Sequence, residues 1–117
     1  MIENQIIQGL LTDEEYTRTV IPFLKPDYFV QTDQRLVFQT FVDYFEKYNG
    51  IPSQSAITID LSQRTNVDEN TINGATELVK NLDTDSKIDE WLIDQTETFC
   101  QDKAIYNAIM SGIEVIE

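Results

Sequence analysis

Histidine is absent from these 117 residues. Most zinc sites, catalytic triads and imidazole acid–base chemistry go with it. Cysteine is almost absent: the single Cys100 rules out an internal disulfide. That scarcity, with no Asn-x-Ser/Thr sequon, points to a reducing cytoplasm. Basic residues are few. Eight Lys plus Arg stand against 21 Asp plus Glu, a formal net charge of −13. Such a surface repels a phosphate backbone and lacks the basic stripe of nucleic-acid binders, so direct DNA or RNA binding is not expected. The four glycines, Gly9, Gly50, Gly74 and Gly112, are isolated and none precedes a lysine, which removes a phosphate-cradling loop. Apolar runs are too short to cross a bilayer. The opening Met1-Ile2-Glu3-Asn4 has neither the basic patch nor the apolar stretch of a secretion signal.

What remains is a folding sequence, 41% hydrophobic and 10% aromatic, long enough for one domain with a modest core. Ile6, Ile7, Leu10 and Leu11 share one face of an opening helix over Ile2 to Leu11. Thr12 or Asp13 can cap a second helix, with Asp13, Glu14 and Glu15 in its first turn and Tyr16, Val20 and Phe23 on its apolar face. Pro22 distorts or ends it. Pro26 opens a short turn of helix that anchors Tyr28 and Phe29 in the core. Thr32 caps the central helix, which runs to about Tyr48 on a wide face of Leu36, Val37, Phe38, Phe41, Val42, Tyr44, Phe45 and Tyr48. Asn49-Gly50 ends it. The next segment is ambiguous: Ile57, Ile59 and Leu61 alternate like a strand, whereas Ser53 as a cap and the want of a partner strand favour helix. Asp68 caps a helix with Ile72, Ala75, Leu78, Val79 and Leu82 inward, and Ser86 with Asp89 makes a capping-box-like start to the last helix. The expected core is Leu10, Tyr16, Phe29, Phe38, Phe41, Phe45 and Trp91.

Features that mimic chemistry have plainer readings. Asp13, Glu14 and Glu15 act as first-turn partners of a helix dipole, and Asp89 and Glu90 diverge around a helix rather than face across a cleft. Asp83-Thr84-Asp85 begins like a calcium loop, but Lys87 and Ile88 fall where a ligand and a glycine are needed. Cys100 has Asp94, Glu97 and Asp102 nearby, a field that opposes a thiolate, and reads as a packing residue. Neither a catalytic residue nor a cofactor or metal site is expected in this chain.

The most informative stretch is Ser86 to Glu117, which reads as one long helix. From Ile88, apolar residues fall at Leu92, Phe99, Tyr106, Ile109, Ile113 and Ile116, interrupted only by Gln95 and Asp102. This heptad-like stripe lies along one side. Such a helix is about 45 Å long, against a radius of gyration of ~13 Å for a domain of this size, so part of it must project and find another surface. The residues expected to make that interface are Phe99, Tyr106, Ile109, Met110, Ile113 and Ile116. With no stop signal before Glu117, the chain reads as a domain cut from a longer protein: a helical head over 1–82, then an arm over 83–117. The fold class is all-α, a small helical bundle followed by a long C-terminal helix.

Particular residues carry a resemblance. They are Gly9-Leu10-Leu11 with Asp13 and Tyr16, Asp27-Tyr28-Phe29, Phe38 with Phe41 and Tyr48, Pro52-Ser53 with Ala56, then Trp91-Leu92-Ile93, Thr96-Glu97, Ala104 and Asn107-Ala108. Together they resemble the N-terminal domain of the DnaB-type hexameric replicative helicases, most nearly the T-even phage branch. Ile51-Pro52-Ser53 and Gln34 depart from the bacterial pattern. The resemblance implies a non-catalytic collar that sits on a C-terminal RecA-like motor. The motor binds ATP and magnesium and unwinds duplex DNA at the replication fork. In the family, heads and helical hairpins pair between neighbours in a hexameric ring, and the collar influences primase and helicase-loader binding. The arm would be the first half of that hairpin. On this reading the chain forms homo-oligomers and works in the cytoplasm of a bacterial host. The alternative is a free-standing acidic phage adaptor that binds a host protein. A four-helix ligand or metal carrier is disfavoured by the missing histidines.

Overall fold

The computed structural model describes the backbone of residues 2–116 and the side chains of residues 2–112. Six α-helices follow one another, with no strand among the described residues: α1 (Ile2–Thr12), α2 (Glu14–Val20), α3 (Thr32–Tyr48), α4 (Gln54–Ser62), α5 (Glu69–Lys80) and α6 (Glu90–Ile116). Single turns of 3₁₀ helix at Ile21–Phe23 and Pro26–Tyr28 link α2 to α3, with Pro22 second in one and Pro26 first in the other, where a fixed φ suits a helical first turn.

Side-chain caps set the starts of α2, α4 and α5. Asp13 Oδ1 accepts from the amides of Glu15 and Tyr16 at 2.9 and 3.2 Å. Ser53 Oγ accepts from the Ala56 amide at 3.0 Å, and Asp68 Oδ2 from the Thr71 amide at 3.1 Å. Each cap satisfies a donor that the helix cannot. At the end of α3, Asn49 takes the left-handed conformation (φ 55°) and its amide reaches Phe45 O at 2.8 Å. The ambiguous segment at 56–61 is helical. Ile57 and Leu61, four residues apart, are buried on one side while Ile59 is exposed on the other, so the apparent alternation was two helical neighbours and one surface residue.

Helix α3 lies at the centre and packs against α1, α4 and α5. Val37, Phe38 and Phe41 are buried there. Phe29 packs on Phe38 with ring centroids 4.9 Å apart, and on Phe99 at 5.8 Å. Tyr28 meets the edge of Phe99 at 6.4 Å. This aromatic cluster ties the linker, the central helix and α6 together. The connecting loops are latched by side chains. Arg35 donates to the carbonyls of Phe29 and Val30. Gln54 Nε2 donates to Val79 O at 2.8 Å and Leu82 O at 3.0 Å, satisfying carbonyls at the end of α5. Gln8 donates to Ser86 Oγ and accepts from the Asp83 amide, both at 2.9 Å.

Some expectations fail locally. Thr32 is not the cap of α3: Gln31 holds that position without a side-chain bond, and the Asp33 carboxylate accepts the Gln34 amide instead. The last helix starts at Glu90, not Ser86. Ser86 is engaged with Gln8 and with Asp83 O, and Asp89 Oδ1 accepts the Leu92 amide at 3.2 Å as the cap. Trp91 is not a core residue but 54% exposed. Leu92 and Thr96, one helical turn apart, define the inward face of α6 there, and Trp91 lies about 100° around the helix from Leu92. Phe23 is exposed because the Ile21–Phe23 turn breaks the register of α2. Tyr48, in the last turn of α3, is exposed as well, its ring tilted against Tyr44 with centroids 4.7 Å apart. Phe45 is half-buried at the bundle rim, stacked on Phe41 and covered by the Arg18 guanidinium 5.2 Å from its ring centre.

Where α1, α2 and α6 meet, contact is close enough to require glycine. A Cβ on Gly9 would sit 2.7 Å from Tyr16 Cε2 and 3.1 Å from Leu92 Cδ2. The Tyr16 hydroxyl lies 2.7 Å from Thr96 Oγ1, which itself donates to Leu92 O at 2.7 Å. Tyr16 is therefore the donor and Thr96 the acceptor between them. Burial pushes the Tyr16 hydroxyl up to about 12 because the ionised ring would be stranded in an apolar site.

Two outcomes are expected. Gly9→Ala should lower stability by about 1–3 kcal/mol in denaturant unfolding, as the clash outweighs the gain in helix propensity. Tyr16→Phe should cost about 1 kcal/mol at neutral pH. Since the folded-state pKa is raised, the neutral ring's contribution is complete below pH ~10 and is lost as pH climbs towards 12. The gap between wild type and Tyr16→Phe in melting temperature should accordingly shrink across that window.

Candidate functional site

Helix α6 has two halves in different surroundings. In the first, Leu92, Thr96, Phe99 and Cys100 are buried against α1, α2 and the 3₁₀ turn at Pro26–Tyr28. The covering ends at the start of α1, where Ile2 and Glu3 border a shallow cleft with Gln95, Thr98, Phe99, Asp102 and Lys103. The Lys103 ammonium lies 5.7 Å over the Phe99 ring and closes this edge of the core. Beyond it, as far as Gly112, the described side chains are exposed, with only Asn107 partly covered. Ile105 is 60% exposed, Tyr106 60%, Ile109 57% and Met110 40%.

These four positions, two adjacent pairs one turn apart, form a single apolar patch. Leu92, Phe99 and Tyr106 are spaced by sevens and lie on nearly the same side. The seam, broken only at Gln95 and Asp102, therefore runs on past the point where the head ends.

Of the expected interface residues, Tyr106, Ile109 and Met110 lie on this uncovered patch. Phe99 does not. It is 8% exposed and packed on Tyr28 and Phe29, so it belongs to the head. The side chains of Ile113 and Ile116 lie outside the described residues. Ile105 was missed, although its spacing of four from Ile109 was available in the sequence. Leu10, Tyr16, Phe29, Phe38 and Phe41 are all buried in the head.

On another side of the first half, α6 and α2 border an open groove of 240 Å³, lined by Thr19, Val20, Phe23, Ile93, Thr96, Glu97, Cys100 and Gln101. Cys100 lies on its floor, and burial pushes its thiol up to about 11. The cause is desolvation rather than the neighbouring carboxylates. A thiol held this far from ionisation is a poor nucleophile at neutral pH.

The carboxylates that could suggest catalysis or metal binding are used locally. Asp13, Asp68 and Asp89 are helix caps, and Asp83 Oδ1 accepts the Asp85 amide in a turn. The Thr71 hydroxyl and amide hold the Asp68 carboxyl below its usual range. Among the described residues no group of three or more His, Cys, Asp or Glu is placed to hold a metal ion. Also among them, no helix is long and apolar enough to cross a membrane. The conspicuous surfaces among the described residues are an uncovered helical stripe and an apolar groove.

Comparison with known proteins agrees with this architecture. A family model, the DnaB-like helicase N terminal domain, matches residues 1–93. That span covers the head as far as the first turn of α6. Over 110 residues, 94% of this chain, the sequence is 26% identical to the DnaB-like replicative helicase of Enterobacteria phage T4. The chain spans 23% of that relative's length. The family-model match over residues 1–93, most of the chain, places it in the DnaB-like helicase N-terminal domain family.

Proposed function

We propose that this chain is the non-catalytic collar and assembly domain of a phage replicative DNA helicase, acting in the cytoplasm of the bacterial host. The observation that carries the reading is the uncovered stripe Ile105, Tyr106, Ile109 and Met110 on a helix that outruns its own head. Apolar side chains in such a row need a covering surface. A second helix, from the same polypeptide beyond residue 117 or from a neighbouring subunit, matches their spacing. On this reading ATP and magnesium belong to a motor that follows the collar, and primase and a helicase loader are partners of the assembled ring. The acidic balance of −13 suits a collar that leaves the DNA to the motor. The match along 110 residues to a replicative helicase favours this reading over a free-standing acidic adaptor.

The energetics set what the isolated chain should do. The four residues are 40–60% exposed, so covering them contributes about half of the roughly 1.5–3 kcal/mol of a full burial each, about 3–6 kcal/mol per copy, against an association cost of about 4–15 kcal/mol. Self-association should therefore be weak and concentration-dependent. Sedimentation equilibrium across concentration should show the mass rising above the monomer. Tyr106→Asp with Ile109→Asp should hold the chain monomeric while the far-ultraviolet spectrum and melting temperature stay near wild type. A wild-type chain that remains monomeric up to about millimolar, where a stripe of this size begins to pair, contradicts the assembly role. So does a double variant that associates as wild type does.

A further inference from the structure

We propose that the groove between α2 and the first half of α6 is a docking site for a basic amphipathic helix of a partner protein. Its apolar floor is Val20, Ile93 and Cys100, with Phe23, 67% exposed, standing at one edge. At 240 Å³ the groove is smaller than the roughly 300–1,000 Å³ of small-molecule sites. It suits one bulky side chain presented by a helix. The exposed aromatic Phe23 beside it is the kind of anchor on which such interfaces depend.

Charge selects the partner. Glu97 lines the groove. Glu15, one turn before Thr19 on α2, and Glu90, one turn before Ile93 on α6, are exposed on the flanking surface. No lysine or arginine lines it. Arg18, next to Thr19 in sequence, is turned to Glu14 and Asn49, and Lys103 lies over Phe99, beside the separate cleft at Ile2 and Glu3. An apolar trough with one carboxylate on its wall and two more a helical turn from its lining residues, on a chain of net charge −13, attracts a helix with an apolar ridge and cationic flanks and repels an acidic one. Another copy of this chain, equally acidic, is electrostatically the wrong occupant. The inference is independent of the assembly reading, because the groove and the Ile105–Met110 stripe share no residue.

The probe is a synthetic helical peptide of about 18 residues, long enough to hold a helix, with leucines on one face and lysines elsewhere. Its control has glutamate at every lysine position. Both are titrated against the 117-residue chain and followed by calorimetry and by the methyl resonances of Val20 and Ile93. The lysine peptide should bind and shift both methyls; the glutamate peptide should not bind. Phe23→Ser and Glu97→Lys, both at exposed positions, should each weaken binding about tenfold or more, as loss of an anchor or of charge complementarity does. Tyr106→Asp should leave it unchanged. The proposal is overturned if the lysine peptide does not bind, or binds without moving the Val20 and Ile93 methyls. It is equally overturned if Phe23→Ser has no effect, if the glutamate peptide binds as well, or if the methyls shift with the chain's own concentration alone.

Discussion

Helix α1 has 11 residues and α6 has 27, so at 1.5 Å per residue they are about 16 and 40 Å long. A short helix laid along a long one covers only part of it. Here the overlap ends near Lys103, and about 20 Å of α6 runs on carrying the apolar seam begun by Leu92 and Phe99. This mismatch of lengths governs the molecule. It makes the first half of α6 an integral part of the head and leaves Ile105, Tyr106, Ile109 and Met110 of the second half exposed. The radius of gyration, 14.7 Å with a longest dimension of 45 Å, exceeds the ~13 Å of a sphere-like domain, as a projecting helix requires.

The clamp at the overlap explains why the seam divides where it does. Gly9 lets α1 approach the Tyr16 ring and Leu92, and the Tyr16 hydroxyl bonds Thr96 across the same contact. Phe99 then fills the space between Tyr28 and Phe29. These contacts hold α6 in one register on the head, so the direction of the projecting half is set by the head itself. Both contact surfaces follow from that register. The groove forms where Phe23 swings outward after the Pro22 turn, and the stripe forms where α1 runs out. On the proposed readings the charge of −13 adds selectivity to both. It discourages anionic partners and requires a strongly apolar match for acidic ones.

Much of this was legible in the residues. The helical order, the caps at Asp13, Ser53 and Asp68 and the left-handed end at Asn49 follow from local chemistry that acts within a few residues. Tyr106, Ile109 and Met110 were legible as an exposed stripe because period and helix length suffice to show an uncovered face. What stayed hidden depends on tertiary distance. Phe99 was assigned to the interface because periodicity shows that it lies on the seam but not where the head ends. Trp91 is expected in the core because it lies in the first turns of the last helix, although the inward direction of α6 is set by Leu92 and Thr96. Ser86 has the chemistry of a helix start, but Gln8, 78 residues away, draws it into a loop contact. The groove had no sequence signature, since it depends on the outward turn at Phe23.

The most direct test of the account is amide hydrogen exchange along α6 in dilute solution. Amides from Leu92 to Lys103, clamped by the head, should exchange only through opening of the core. Those from Ile105 to Gly112 should exchange far faster, through local fraying of an unsupported helix. The break in protection should fall close to Lys103 and should fade as concentration rises and the stripe finds a partner. Uniform protection along the whole helix at dilution would contradict the account, because it would mean that the second half is covered by the chain itself.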